Sequence, residues 1–126
     1  MSLFDKTTDA LATSLQMRQI RHNVTSANIA NAETPHYHAK KVDFENALAS
    51  ALETEGIAGD HLGGKNVKNV KADVYENPDV AVNNDGNTVD LEKEMSALSE
   101  NSILYKSALQ LINKKMAALK YALGER

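Results

Sequence analysis

The feature that most constrains this chain is a stripe of apolar residues towards its C-terminal end. Leu91, Met95, Leu98, Ser102, Tyr105, Leu109, Ile112, Met116, Leu119 and Leu123 follow one another at alternating intervals of four and three, the spacing of a coiled-coil seam. Only Ser102 is neither apolar nor aromatic. Residues such as Glu92, Lys93, Glu100, Lys106, Gln110, Lys114 and Lys120 lie between them, so a helix here is apolar on one side and hydrated on the other. No Pro or Gly interrupts the run. Asp90 is suited to cap its start and Gly124 to end it, while acids in the first turn and lysines in the last complement the helix dipole. The pattern predicts a helix over residues 90–123, roughly 50 Å long at about 1.5 Å per residue. A seam of that length requires a partner.

A second stripe opens the chain. Leu3, Ala10, Met17 and Val24 recur every seven residues, Ile20 and Ala27 lie close to the same face, and Phe4, Leu11 and Leu15 widen it. Either Asp5 or Thr7 can open this helix, expected within residues 1–31. The two stripes suggest a helical hairpin in which Leu91, Met95, Leu98, Tyr105, Leu109, Ile112, Met116, Leu119 and Leu123 meet Leu11, Leu15, Met17, Ile20 and Val24, or their counterparts in a neighbouring molecule. Asn28 and Asn31 bracket the end of the first helix, since Asn tolerates left-handed backbone and bonds its own main chain. Pro35 lacks an amide proton and drives Thr34 out of helical geometry, so the helix stops before it.

Beyond Pro35 the pattern is less regular. Residues 39–45 read as extended chain leading into a short helix over 44–52, with Ala47, Leu48 and Ala51 on one side. Five of the six glycines and Pro78 fall between residues 53 and 88, which marks loop or short strand. Val70–Tyr75 and Asp79–Val82 are candidate strands of a hairpin about Asn77-Pro78. The expected fold is mainly α and a single domain over residues 1–126: an N-terminal helix (1–31), a middle of turn, short helix and loop or short strands (32–88), and a C-terminal helix (90–123).

Composition narrows the function. Two Phe, four Tyr and no Trp are few for a compact core and favour an elongated helical object with aliphatic seams. A net charge of −3 argues against nucleic acid, which needs a concentrated basic surface. The absence of cysteine excludes disulfides and thiolate chemistry. Asp5, Lys6, Asp9 and Arg18 break up the first twenty residues, so neither a cleavable signal peptide nor a membrane span is expected there.

Four motifs approach known chemistry and fall short. Gly59-Asp60-His61-Leu62-Gly63-Gly64-Lys65 has phosphate-loop spacing, but Asn66 stands where a Ser or Thr would bind magnesium. Asn83, Asp85, Gly86 and Glu92 fit an EF-hand loop whose first ligand would be Ala81, and a tight turn leading to Asp90 is the simpler reading. His36 and His38 lack a third metal ligand nearby, and the sequon Asn23-Val24-Thr25 lies within a predicted helix. No nucleophile is accompanied by a base, so no catalytic, cofactor-binding or metal-binding residue emerges.

The stretch Ser26-Ala27-Asn28-Ile29-Ala30-Asn31-Ala32-Glu33-Thr34-Pro35-His36-Tyr37 closely resembles the N-terminal signature of the bacterial flagellar axial proteins, the rod and hook family. Val42-Asp43-Phe44-Glu45, Asp85-Gly86-Asn87, and Val89 through Met95 with Glu100-Asn101 and Tyr105 narrow the likeness to its proximal-rod members. His36 stands where the family pattern has Gly, a departure that bears on any turn requiring positive φ. The resemblance implies a structural subunit that assembles helically into the drive shaft between motor and hook, with its terminal helices paired in a coiled-coil-like core. Implied partners are further copies, other proximal-rod proteins, the membrane-ring adaptor and the flagellar type III export apparatus. That route needs no cleavable signal. Asn28, Ile29, Asn31, Thr34, Pro35 and Tyr37 would shape the bend from which contacts to neighbours branch. The pattern by itself also accommodates a cytoplasmic coiled-coil adaptor or export chaperone. A lone two-helix hairpin buries too little apolar surface to offset the ordering of its backbone, so the termini are expected to complete their folding against neighbours.

Overall fold

In the computed structural model, which describes residues 6–58 and 66–124, two long helices run antiparallel with a small sheet and a shorter helix against the first of them. The first helix, α1, spans Lys6–Ala30. Strand β1 follows at Lys40–Asp43, helix α2 at Glu45–Ala58, a 3-10 turn at Val67–Asn69, strand β2 at Asp73–Glu76, and helix α3 at Leu91–Ala122. The mainly helical expectation is met, with both long helices close to their predicted ranges. The predicted Leu3, Phe4 and Asp5 contributions and the Gly59–Lys65 motif lie outside the described residues.

The caps of α3 are those its sequence proposes. Asp90 Oδ1 accepts from the Lys93 amide at 3.2 Å, and Gly124, at φ 76°, donates its N–H to Tyr121 O at 3.0 Å. The short helix is longer than the predicted 44–52, continuing six residues to Ala58 through Glu53, Thr54 and Glu55, which do not oppose helix despite Gly56.

The middle departs from the predicted hairpin. β2 pairs not with residues 79–82 but with β1, antiparallel, Lys40 opposite Glu76 and Val42 opposite Val74. The reason lies in burial. Val42 is seated on α1 and therefore fixes β1 as a template, whereas Val82 is 67% exposed and has no face to cover. The Asn77 side chain accepts from the Asp79 amide at 3.0 Å, turning the chain away before any ladder with 79–82 can form.

Helix α1 packs in two directions. Met17, Val42 and Phe44 form the core cluster, with Ile20, Val24, Leu48 and Ala72 around it, and no α3 side chain belongs to it. The apolar face of α1 is thus covered by the sheet and α2. On the side it presents to α3, Thr25 and Asn28 are buried and Arg18 partly so, while Leu15 and Ile20 line one hollow with Tyr105. Two guanidinium groups reinforce the sheet side: Arg21 lies 4.6 Å and Arg18 5.3 Å from the Phe44 ring centre.

Candidate functional site

The signature residues form a turn built around one buried amide. Asn28, only 1% exposed on the last turn of α1, uses both ends of its side chain. Its Nδ2 donates to Lys40 O at 2.8 Å and to Glu94 Oε2 at 3.1 Å, while its Oδ1 accepts from the Lys40 amide at 3.0 Å and the Tyr37 hydroxyl at 3.1 Å. The side chain therefore acts as a third strand along the inner edge of β1 and ties both to α3. Arg21 continues this edge by donating to Val42 O at 2.6 Å. An amide is needed because only Asn or Gln offers donor and acceptor side by side, and Gln is longer by one methylene.

Glu94, paired with Asn28, has its carboxyl pushed up by burial and by the nearby Asp90 charge, against the pull of the Asn28 hydrogen bond. Burial and the Glu94 charge raise the Tyr37 phenol likewise. Glu45 goes the other way. Partial burial disfavours its charge, but hydrogen bonds and charge from Arg21, aided by the Phe44 and Glu45 amides, hold it at about 2.

The chain between α1 and β1 is fastened by the segment that carries Asp85-Gly86-Asn87. Asn87, fully buried, donates to Asn31 O at 2.8 Å and Thr34 O at 2.7 Å, and accepts from the Val89 amide at 2.7 Å. His36 donates its amide to Asp85 O, Thr88 donates to Tyr37 O, and the Thr88 hydroxyl accepts from the Ala39 amide. Asn31 caps α1 from within, Nδ2 to Ala27 O at 2.8 Å, and accepts from the Thr34 hydroxyl. Pro35 is exposed and Ile29 half-buried. Asn87 and Thr88 were missed as functional residues; the signal was the motif Asp85-Gly86-Asn87, whose Asn has no helix or strand of its own to serve.

His36 has φ 61°, so the positive-φ turn survives the replacement of Gly, at a cost His can bear better than a β-branched residue. Gly86, at φ 81°, faces it: a Cβ there would lie 2.5 Å from His36 Nδ1. His38 lies 4.0 Å from Glu76 and away from any metal-ligand cluster among the described residues.

The second feature is the outer surface of α3. The covered line of this helix runs through Glu94, Leu98, Asn101, Tyr105, Ala108, Ile112, Lys115 and Leu119, again alternating four and three. It shares Leu98, Tyr105, Ile112 and Leu119 with the predicted seam. The other half of that seam is rotated out: Leu91, Met95, Leu109, Met116 and Leu123 are exposed rather than packed on α1. Their places are taken by Glu94, Asn101 and Ala108, which bond to α1 or let it approach closely. Asn101 Nδ2 donates to Arg18 O at 2.8 Å, and Arg18 Nη1 donates to Asn101 Oδ1 at 3.3 Å. Leu104 and Leu111 are exposed on the other flank of the covered line. On α1, Met17 is buried in the sheet-side core, Ile20 and Val24 pack against it, and Leu11 and Leu15 are half-buried. The structure therefore brings the predicted residues together in two groups rather than one.

A helix with apolar flanks on both sides of its covered seam, joined to a hydrogen-bonded turn, has the form of an assembling subunit. A family model described as "Flagella basal body rod protein" matches residues 9–37, which span most of α1 and the turn organised by Asn28. Three relatives are flagellar basal body rod proteins FlgB. Those of Bacillus subtilis and Aeromonas hydrophila are each 35% identical, covering 98% of this chain and 97% of their own length. That of Salmonella typhimurium is 32% identical over 83% of both. The chain belongs to the FlgB family of flagellar basal body rod proteins. It is accordingly a structural subunit of the basal-body rod, and among the described residues no helix is long and apolar enough to cross a membrane.

Proposed function

We propose that this subunit joins the proximal rod through the outward flanks of α3, with the turn at residues 28–39 fixing the angle from which its contacts branch, and that it has no catalytic role. The observation that carries the reading is the number of large apolar side chains left open on α3: Leu91, Met95, Ile103, Leu104, Leu109, Leu111, Met116, Tyr121 and Leu123. A soluble monomer gains nothing from such a surface, whereas a helix surrounded by other helices buries it. Further copies of this chain and other proximal-rod proteins cover these flanks, with the membrane-ring adaptor at the base and the type III export apparatus as the delivery route. The ends of α1 and α3 complete their folding as neighbours cover them.

Leu109→Asp tests the assembly surface directly. Leu109 is 39% exposed, so the change costs the isolated subunit about 1 kcal/mol or less, yet it places a charge in an interface that must desolvate it. The expected outcome is a folded protein by circular dichroism and loss of rod assembly and swimming. Swimming cells with normal hooks would remove Leu109 from the interface.

A further inference from the structure

α3 carries two overlapping seams, and the chain uses the less apolar one against α1. Both include the line Leu98, Tyr105, Ile112 and Leu119. One is completed by Met95, Leu109 and Met116, the other by Glu94, Asn101 and Ala108, and the two differ by a rotation of roughly 50° about the helix axis at 3.5 residues per turn. Apolar burial alone favours the first. The molecule adopts the second, with Met95 and Leu109 exposed and Asn101 only 3% exposed.

Two polar contacts favour the observed rotation, Glu94 with Asn28 near the start of α3 and Asn101 with Arg18 further along, and the second is reciprocal. The Asn101 amide takes the Arg18 carbonyl as acceptor, while the Arg18 guanidinium returns a hydrogen bond to its Oδ1, closing a reciprocal pair between the two helices. Arg18 itself rests over Phe44, a residue of the sheet-side core, so the pair links α3 to a fixed reference on the far side of α1. Turned by one-seventh, Asn101 would leave the seam and lose both bonds. Ala108, one heptad further on, allows the close approach that keeps the pair short.

We propose that Asn101 is the specificity-determining residue that sets the rotation of α3 on α1, holding the more apolar line of α3 outward instead of letting the chain consume it internally. This rests on the assembly role given above, because the outward line matters only if neighbours use it. A polar residue at one seam position selecting register at the expense of stability is a known physical device.

The chain has no cysteine, so single cysteines report the rotation without background. Ala108→Cys and Leu109→Cys are made separately in the full chain and labelled with a maleimide. With Asn101 present, the cysteine at 109 reacts about fivefold or more faster than that at 108, in line with exposures of 39% and 7% at the two positions. In Asn101→Leu the order reverses, the urea midpoint is unchanged or higher, and rod assembly falls. Asn101→Ala, which removes both hydrogen bonds without adding an apolar side chain, brings the two rates together. An unchanged labelling order in both variants overturns the proposal and leaves the assembly reading intact. If both variants label at the unfolded rate at both positions, Asn101 is a general stabiliser and the proposal is equally overturned. A reversed order with normal assembly sustains the register role and removes the assembly reading.

Discussion

Replacing Asn28 with Ala removes four hydrogen bonds, and their surroundings decide the cost. The Tyr37 hydroxyl and the Glu94 carboxylate belong to half-buried residues and can turn to water. The Lys40 amide and carbonyl cannot, because they face the site of a side chain that is 1% exposed. Leaving that donor and acceptor unsatisfied costs about 1 to 3 kcal/mol each, and water entering the space left by the side chain keeps the total to about 2 to 4 kcal/mol. In a domain of this size that lowers the melting temperature by about 10 °C. Urea unfolding followed by circular dichroism measures it, with Asn31→Ala, on a more exposed side chain, expected to cost about 1 kcal/mol or less.

Asn28→Asp sharpens the test. It keeps the acceptor for Lys40 and Tyr37 but sets a second carboxylate against Glu94, whose own pKa is already raised by burial. Both acids then bind protons more tightly in the folded state, so this variant gains stability as pH falls through their raised pKa values and loses it as pH rises. A cost below about 0.5 kcal/mol for Asn28→Ala, with no recovery of Asn28→Asp on acidification, would refute the view that this amide organises the turn.

Three further outcomes follow from the geometry. Glu45 is held from its usual 4.5 down to about 2, so its contribution is complete above about pH 4.5 and is lost as pH falls towards 2. Its side chain is half exposed, which limits the effect to about 1 kcal/mol, and Glu45→Gln flattens the acid limb of stability against pH by that amount. Gly86→Ala costs about 2 kcal/mol, from positive φ and from the His36 ring 2.5 Å from the added methyl. In a His36→Gly background the same substitution costs less, because the ring is gone and only the backbone strain remains; equal costs in the two backgrounds would show that the ring moves aside freely.

Much of the architecture is legible in local pattern. The four-three spacing over 91–123, uninterrupted and capped by Asp90 and Gly124, leaves little choice but a helix, and Pro35 requires the first one to stop before it for a reason internal to its ring. The Asn-Ile-Ala-Asn stretch announced a special turn. It did not disclose that Asn28 would bond to β1 and α3 at once, since those partners lie 12 and 66 residues away. The 79–82 strand failed because valines at alternate positions promise a buried face without saying what would cover it, and Val82 stays 67% exposed while β2 pairs with β1.

What the sequence by itself determined is that the two long helices form, where each of them stops, and that Gly86 sits at a turn. These follow from forces acting within a few residues: hydrogen-bonded caps, the geometry of proline and glycine, and side-chain periodicity. Tertiary structure alone decided which face of each helix is covered. Apolar periodicity defines a stripe only to within a rotation, and on α3 that rotation was chosen by polar contacts with Arg18 and Asn28, turning Met95, Leu109 and Met116 outward. Hydrophobic burial has no direction of its own, whereas a buried amide must meet its partners at fixed distances and angles.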